Sequence, residues 1–198
     1  VGIGLNYERL KNLAAGALLH DLGKQLIPLD IINKAGKLSD VEFEVVKKHP
    51  EDGYKILCSS YDMTSSIREI AHQHHENWNG TGYPRGLKGN EIYDLAHIVH
   101  VCDVFDALVS KRAYKDAFST IKAVKIINEG RGTSFKSEFV DMFFRYIPVF
   151  PHGSTVTLSD GRKALVFQNN KGNMLKPTVL LEDKTKLDLR QSNLYIIK

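Results

Sequence analysis

Four short stretches of this chain carry side chains whose chemistry exceeds what folding needs: His20-Asp21, His49, His74-His75-Glu76 and Asp103. Imidazole nitrogens and carboxylate oxygens are good ligands for divalent cations. Adjacent helical residues point about 100° apart, so His20 and Asp21 do not grip one small ion as an i, i+4 pair would. They suit a wider site, in which Asp21 bridges two ions and His20 binds one of them. A lone His-Asp dipeptide reads equally as a solvated or backbone-satisfied pair; the ligands that follow favour a metal. His74 and His75 can each serve a different ion, with Glu76 placed to fix a ring tautomer from outside. His72, in the same run, reads as surface. Asp103 lies just off the apolar stripe of a helix, where a carboxylate is costly to bury without a partner. Asp106 reads either as orienting a ligand histidine or as helix surface.

The elements that must position these groups can be traced in order. Leu10, Leu13, Ala14, Ala17 and Leu18 have the spacing of an amphipathic helix from about Leu5 to His20, with Gly23 placed to stop it. Ser39 to Glu42 has the form of a capping box and predicts a helix running to His49. Pro50 disfavours helical geometry at His49, so this histidine is expected at a break before a helix through Gly53, Tyr54, Ile56 and Leu57. Ser65 to His75 reads as a helix buried along Ile67, Ile70 and Ala71. Residues 79–89 hold four glycines and Pro84 and predict an irregular loop that shapes a site. Asp94 to Lys111 is the strongest helix, with Leu95, Ile98, Val99, Cys102, Phe105 and Val109 at core spacing. Helices near Ser119 to Glu129 and Glu138 to Tyr146 follow. Beyond Pro151 the texture changes to a hairpin, Val156 to Leu158 with Ala164 to Phe167, and further short strands at Thr178 to Leu181, Leu187 to Leu189 and Tyr195 to Ile197.

Composition narrows the function classes. Leu95 to Val109 is broken by His97, His100, Asp103 and Asp106, so no membrane span is expected, and no signal peptide is visible. Two cysteines, Cys58 and Cys102, far apart in sequence, predict buried thiols in a reducing compartment, hence a cytoplasmic protein. The net charge of +4 resides in the tail: residues 152–198 carry 8 Lys/Arg against 4 Asp/Glu, and the preceding 151 residues carry 19 of each. A solvated basic surface, with no nucleic acid polymer as partner, is the expectation. The chain begins at Val1 and reads as a piece of a longer protein.

The ordered set His20-Asp21-Leu22-Gly23-Lys24, Ile27-Pro28, His49-Pro50, His74-His75-Glu76, Gly80-Thr81-Gly82-Tyr83-Pro84-Arg85-Gly86-Leu87 and Asp103-Val104-Phe105-Asp106-Ala107-Leu108 resembles the HD-GYP family of cyclic di-GMP phosphodiesterases. The resemblance runs from about Leu10 to Tyr146. It implies a mainly α fold, an HD-type helical bundle over residues 1–150, with a small C-terminal β module at 151–198. It implies two or three divalent ions held by His20, Asp21, His49, His74, His75 and Asp103, with Asp21 bridging; iron or manganese suits such nitrogen and oxygen ligands, and zinc, nickel and magnesium stay open because affinity order alone does not select a metal. Asp21 and Lys24 are the implied catalytic residues, and Lys24, Tyr83, Arg112 and Lys115 the implied contacts to the phosphates or guanines of cyclic di-GMP. The implied product is pGpG, with GMP from a second cut. An upstream sensor or receiver domain and a homodimer are implied partners. A preceding helix that brings a Glu and a His to a third ion in some members is absent from this sequence. Departures from the family pattern are Ala35, Tyr93, His97, Ala113 and Lys136, none of them a ligand position. Two other readings stay open: a catalytically silent cyclic di-GMP-binding or protein-interaction module, and an HD phosphohydrolase of another nucleotide.

Overall fold

The computed structural model describes residues 4–110 and 118–197, so Arg112, Ala113 and Lys115 lie outside the described residues. Helix α1 (Tyr7–Leu19) starts where the Asn6 side chain accepts the Arg9 backbone N–H at 2.9 Å. It ends one residue before His20, whose helical backbone caps it, and a 3-10 turn over Leu22–Leu26 follows. Gly23 therefore has a different task from the helix stop expected of it. A Cβ at Gly23 would lie 2.0 Å from the His49 carbonyl oxygen and 2.6 Å from the Gly53 nitrogen. Only a bare backbone lets the His20-Asp21 turn pack this closely on the helix that starts at His49.

Helix α2 (Leu29–Ile32) is a single turn, and α3 (Asp40–Val46) carries the expected capping box between Ser39 and Glu42. Helix α4 (His49–Cys58) opens on His49 itself, with Pro50 in the first turn, where a missing N–H costs nothing. The break falls at Lys47 and Lys48 and aims His49 inward, 1% exposed. A short connection leads to α5 (Ser65–Gln73), capped by Thr64, so α4 and α5 form an antiparallel pair joined at the far end from His49 and His74. Helix α6 (Asp94–Val109) runs through the body of the fold, and α7 (Thr120–Glu129) and α8 (Ser137–Tyr146) pack beside it.

The tail is an antiparallel meander in the order β1 (Thr155–Thr157), β2 (Lys163–Gln168), β3 (Thr178–Leu181) and β4 (Lys186–Asp188). Its inward residues Val156, Val166 and Val179 join Ile127, Val140 and Phe143 in one apolar cluster, so the sheet shares a core with α6, α7 and α8. Tyr195 to Ile197 forms no strand; Ile196 makes only an isolated bridge to Leu158. Cys58 is exposed, not buried as expected, because it ends α4 on the outer side; Cys102 is half-buried, and both are free.

Two departures from the family pattern meet in one place. His97 is 2% exposed, its ring packed on Phe139 at 5.3 Å and near Trp78 at 5.5 Å, and neither ring nitrogen has a hydrogen-bond partner among the described residues. Lys136 lies over the same two aromatic rings. Burial, reinforced by the Lys136 charge, pushes His97 down to about 4.

Both features yield tests. Gly23→Ala is expected to lower stability by ~1–3 kcal/mol or more through backbone overpacking, read as a fall in the thermal midpoint. His97 is held neutral in the fold and protonates freely when unfolded, so its contribution is complete above pH 6.5 and is lost as pH falls toward 4. His97→Phe should flatten the stability profile across that window; an unchanged slope would show that His97 does not drive it.

Candidate metal centre

Three histidines are oriented by one repeated local device. His20, His49 and His74 each place Nδ1 against the carbonyl three residues earlier: Ala17 at 2.7 Å, Val46 at 2.7 Å and Ala71 at 2.8 Å. A carbonyl only accepts, so each Nδ1 carries the proton and, in the neutral ring, each Nε2 is a bare lone pair. All three Nε2 atoms converge on Asp21. His49 Nε2 and His74 Nε2 are 3.3 and 3.7 Å from Asp21 Oδ1 and 3.3 Å from each other. On the other carboxylate oxygen, His20 Nε2 lies 3.3 Å from Oδ2 and 3.9 Å from Asp103 Oδ1, and Lys24 donates to Oδ2 at 2.6 Å.

Acceptors thus face acceptors. Among the described residues His20 Nε2 and Asp21 Oδ1 are buried without a hydrogen-bond partner, an arrangement that costs ~1–3 kcal/mol per group unless something positive is shared among them. A divalent cation answers every one of these lone pairs, and the donor set of imidazole and carboxylate suits it. Asp21, His49, His74 and His75 present ligand atoms all within 4.8 Å of one another, forming one metal-binding cluster. The residues present fit the ions that the resemblance implies.

Electrostatics keep Asp21, His74 and His75 in the ligating state. Burial works to raise the Asp21 carboxyl, but the close approach of the His20, His49 and His74 rings and the hydrogen bond from Lys24 outweigh it and hold Asp21 well below the usual carboxylate range. Burial pushes His74 and His75 down, helped for both by neighbouring imidazoles. His20 is also penalised by burial, yet its contact with Asp21 leaves it above its ordinary value. Tyr83, stacked on His75 at 4.7 Å, is pushed upward by burial and by Asp103 and Asp21, so its hydroxyl keeps its proton.

The loop at 79–89 is folded onto the ligands by Glu76. This fully buried carboxylate accepts the Arg85 N–H at 2.8 Å and the Leu87 N–H at 3.0 Å, so it organises the loop and does not fix a histidine tautomer as expected. Gly82 is the point of contact: a Cβ there would lie 2.2 Å from the Asn77 nitrogen and 2.5 Å from the His75 oxygen. Tyr83 N–H donates to that same His75 oxygen at 3.1 Å, and the following Tyr83-Pro84 bond is cis.

Of the residues named from the sequence, the structure gathers His20, Asp21, Lys24, His49, His74, His75, Tyr83 and Asp103 around one centre. Asp106 is exposed and accepts from Ser110 at the helix end. His72 is buried, 6% exposed, and paired with Glu51, a correction to its reading as surface: α4 covers that side of α5. Beside the ligands opens a cleft of about 340 Å³, lined by the polar groups of Lys24, His49, His75, Tyr83 and Asp103 and by the apolar side chains of Phe43, Val46 and Leu108. Phe43 and Val46 were missed from sequence because an apolar pair on an amphipathic helix looks like core. His100 was missed too; its Nδ1 donates to the His74 carbonyl at 2.8 Å, and burial pushes it down to about 4.

A family model described as HD domain matches residues 3–138. A cyclic di-GMP phosphodiesterase of Pseudomonas aeruginosa is 35% identical over 170 residues, 86% of this chain and 41% of that protein. A 3'3'-cGAMP-specific phosphodiesterase of Vibrio cholerae is 38% identical over 129 residues, 65% of this chain and 25% of that protein. Among solved structures, an HDG"Y"P protein from Bdellovibrio bacteriovorus superposes with a TM-score of 0.57 at 26% identity, covering 70% of this chain and 44% of that one. The chain thus spans less than half the length of these relatives.

The Glu76 cradle is directly testable. Glu76→Ala strips the acceptor from two backbone N–H groups, at ~1–3 kcal/mol each. Amide exchange at Arg85 and Leu87 should rise while core amides of α6 keep their protection; unchanged exchange would show that the loop holds itself.

Proposed function

The chain belongs to the HD domain family, and on that footing we propose that it is a metal-dependent phosphodiesterase acting on cyclic di-GMP. The observation that carries the reading is the convergence of three Nε2 lone pairs on Asp21 at the edge of a cleft holding Lys24 and Tyr83. The two oxygens of Asp21 face different partners, which supports two ions, iron or manganese, one near His49, His74 and His75 and one near His20 and Asp103. We assign this chemistry to residues 1–150 and none to the β module at 151–198.

Divalent ions, when bound, supply Lewis acidity at the phosphoryl group and make hydroxide available at neutral pH. The protein's residues do the rest. Lys24, beside Asp21, faces the cleft where phosphoryl oxygens gain charge and offsets that charge. Tyr83, held protonated, donates a hydrogen bond to position the phosphate. Phe43, Val46 and Leu108 offer an apolar wall to a base. Arg112 and Lys115 add cationic contacts on the strength of the resemblance. No side-chain nucleophile is invoked, and the Cys102 thiol, pushed up to about 11 by burial, is ill suited to be one. Ring opening yields pGpG, and a second cut yields GMP.

A second reading has a specific observation behind it: the 38% identical relative is named for 3'3'-cGAMP. Around the unit we place an upstream sensor or receiver segment, which relatives more than twice as long accommodate, and a homodimer. Free Cys58 and Cys102 support a reducing, cytoplasmic setting. No helix among the described residues is long and apolar enough to cross a membrane.

The test is a substrate panel on manganese-loaded protein. Cyclic di-GMP should be cut to pGpG, with Asp21→Ala lowering kcat at least ~100-fold. Phe43→Ala should raise KM roughly tenfold with kcat held, since stacking on a base is worth ~1–3 kcal/mol. Turnover of 3'3'-cGAMP alone would favour the second reading. Tight nucleotide binding without product would make the protein a receptor built on an enzyme's site.

A further inference from the structure

Behind the ligands, α4 and α5 are linked a second time. Glu51 Oε2 accepts from His72 Nε2 at 2.7 Å, and the His72 side chain is only 8% exposed. Tyr54, one turn along α4 from Glu51, stacks on the same imidazole at 4.4 Å with planes 27° apart. Lys55 holds the other Glu51 oxygen at 3.2 Å. His72 is therefore gripped from α4 by a carboxylate and a ring whose own positions are fixed.

The placement of this grip is what matters. Glu51 is two residues after His49, and His72 two before His74. Residues two apart on a helix point about 200° apart around its axis. The α4 to α5 contact is thus spanned on one side by His49 Nε2 and His74 Nε2, 3.3 Å apart, and on another by Glu51 and His72. Leu57 and Ile67, the large members of the apolar cluster between these helices, sit toward the joined end. Leu57 lies about 12 Å along α4 from His49 at the usual helical rise. At that distance a small change in the angle between the helices would open the gap between the ligand nitrogens.

We propose that Glu51 and His72 are positioning residues of the metal centre, a brace that sets the spacing of His49 and His74 without touching the ion. The proposal rests on the reading of Asp21, His49 and His74 as cation ligands. Two features distinguish the pair from ordinary packing. His72 is buried with its Nδ1 unpartnered, so an apolar residue would fill the space at lower cost in unpaired polar atoms. It also joins the two helices directly at the end where the ligands emerge, whereas Leu57 and Ile67 join them toward the other end.

The experiment uses cobalt(II) as the probe, added to metal-free protein, with dissociation constants from chelator competition and the visible d–d spectrum as the report of ligand geometry. Wild type, Glu51→Gln, Glu51→Ala and His72→Phe are compared. Glu51→Ala and His72→Phe should weaken cobalt binding by ~10–100-fold, the range seen when supporting partners of ligands are removed, and should shift the spectrum. Glu51→Gln keeps an acceptor for the His72 N–H and should restore both. His72→Phe retains the stack on Tyr54 and carries the comparison alone if Glu51→Ala does not fold. Wild-type affinity and spectrum in both disruptive variants, whatever their thermal midpoints, would overturn the brace. Wild-type protein that takes up no cobalt would instead overturn the ligand reading beneath it.

Discussion

The structure depends on a cluster of lone pairs that repel one another unless a cation lies among them. His20, His49 and His74 each commit Nδ1 to a carbonyl of their own helix and turn Nε2 toward Asp21. Such an arrangement is poor for stability, since buried acceptors without donors raise the energy of the fold. It is well suited to holding a metal in place, because the tautomers and ring planes are set before any ion arrives. The surrounding chain supplies rigidity at the points of closest approach. Gly23 lets the His20-Asp21 turn touch the backbone of α4, and Gly82 lets the loop touch the backbone of His75 to Asn77.

The charge pattern follows from the same geometry. Asp21 keeps its negative charge because the Lys24 ammonium and the rings of His20, His49 and His74 surround it, while burial keeps His74 and His75 neutral and able to ligate. The cleft beside them is lined by two kinds of side chain: Lys24, Tyr83 and Asp103, suited to a phosphate and its ions, and Phe43, Val46 and Leu108, suited to a flat apolar ring. A nucleotide carries both kinds of surface, which supports the proposed substrate class without choosing between two cyclic dinucleotides.

Much of this was legible in the sequence, for local reasons. Short motifs whose chemistry is intrinsic, such as His20-Asp21 and His74-His75, stand out wherever they fall, and the Ser39 to Glu42 box and the break before His49 are written in neighbouring residues. What escaped depends on contacts between distant segments. Glu76 looked like a partner for a histidine, but the loop it serves returns to it nine and eleven residues later. His72 looked exposed at a polar helix end, and only the packing of α4 buries it. Gly23 looked like a helix stop, yet its necessity comes from His49, far along the chain. The sheet sharing a core with α7 and α8 was equally invisible, since short strands do not announce which surface they will cover.

Everything proposed for this site requires the cluster around Asp21 to be a resident metal centre. The most direct test is the metal content per chain of protein purified without oxygen, measured beside Asp21→Ala prepared identically. Close to two equivalents of iron or manganese are expected in the wild type and a clear loss in the variant, with the helical spectrum of both retained. Trace metal in both, or equal amounts in both, would contradict a resident metal centre.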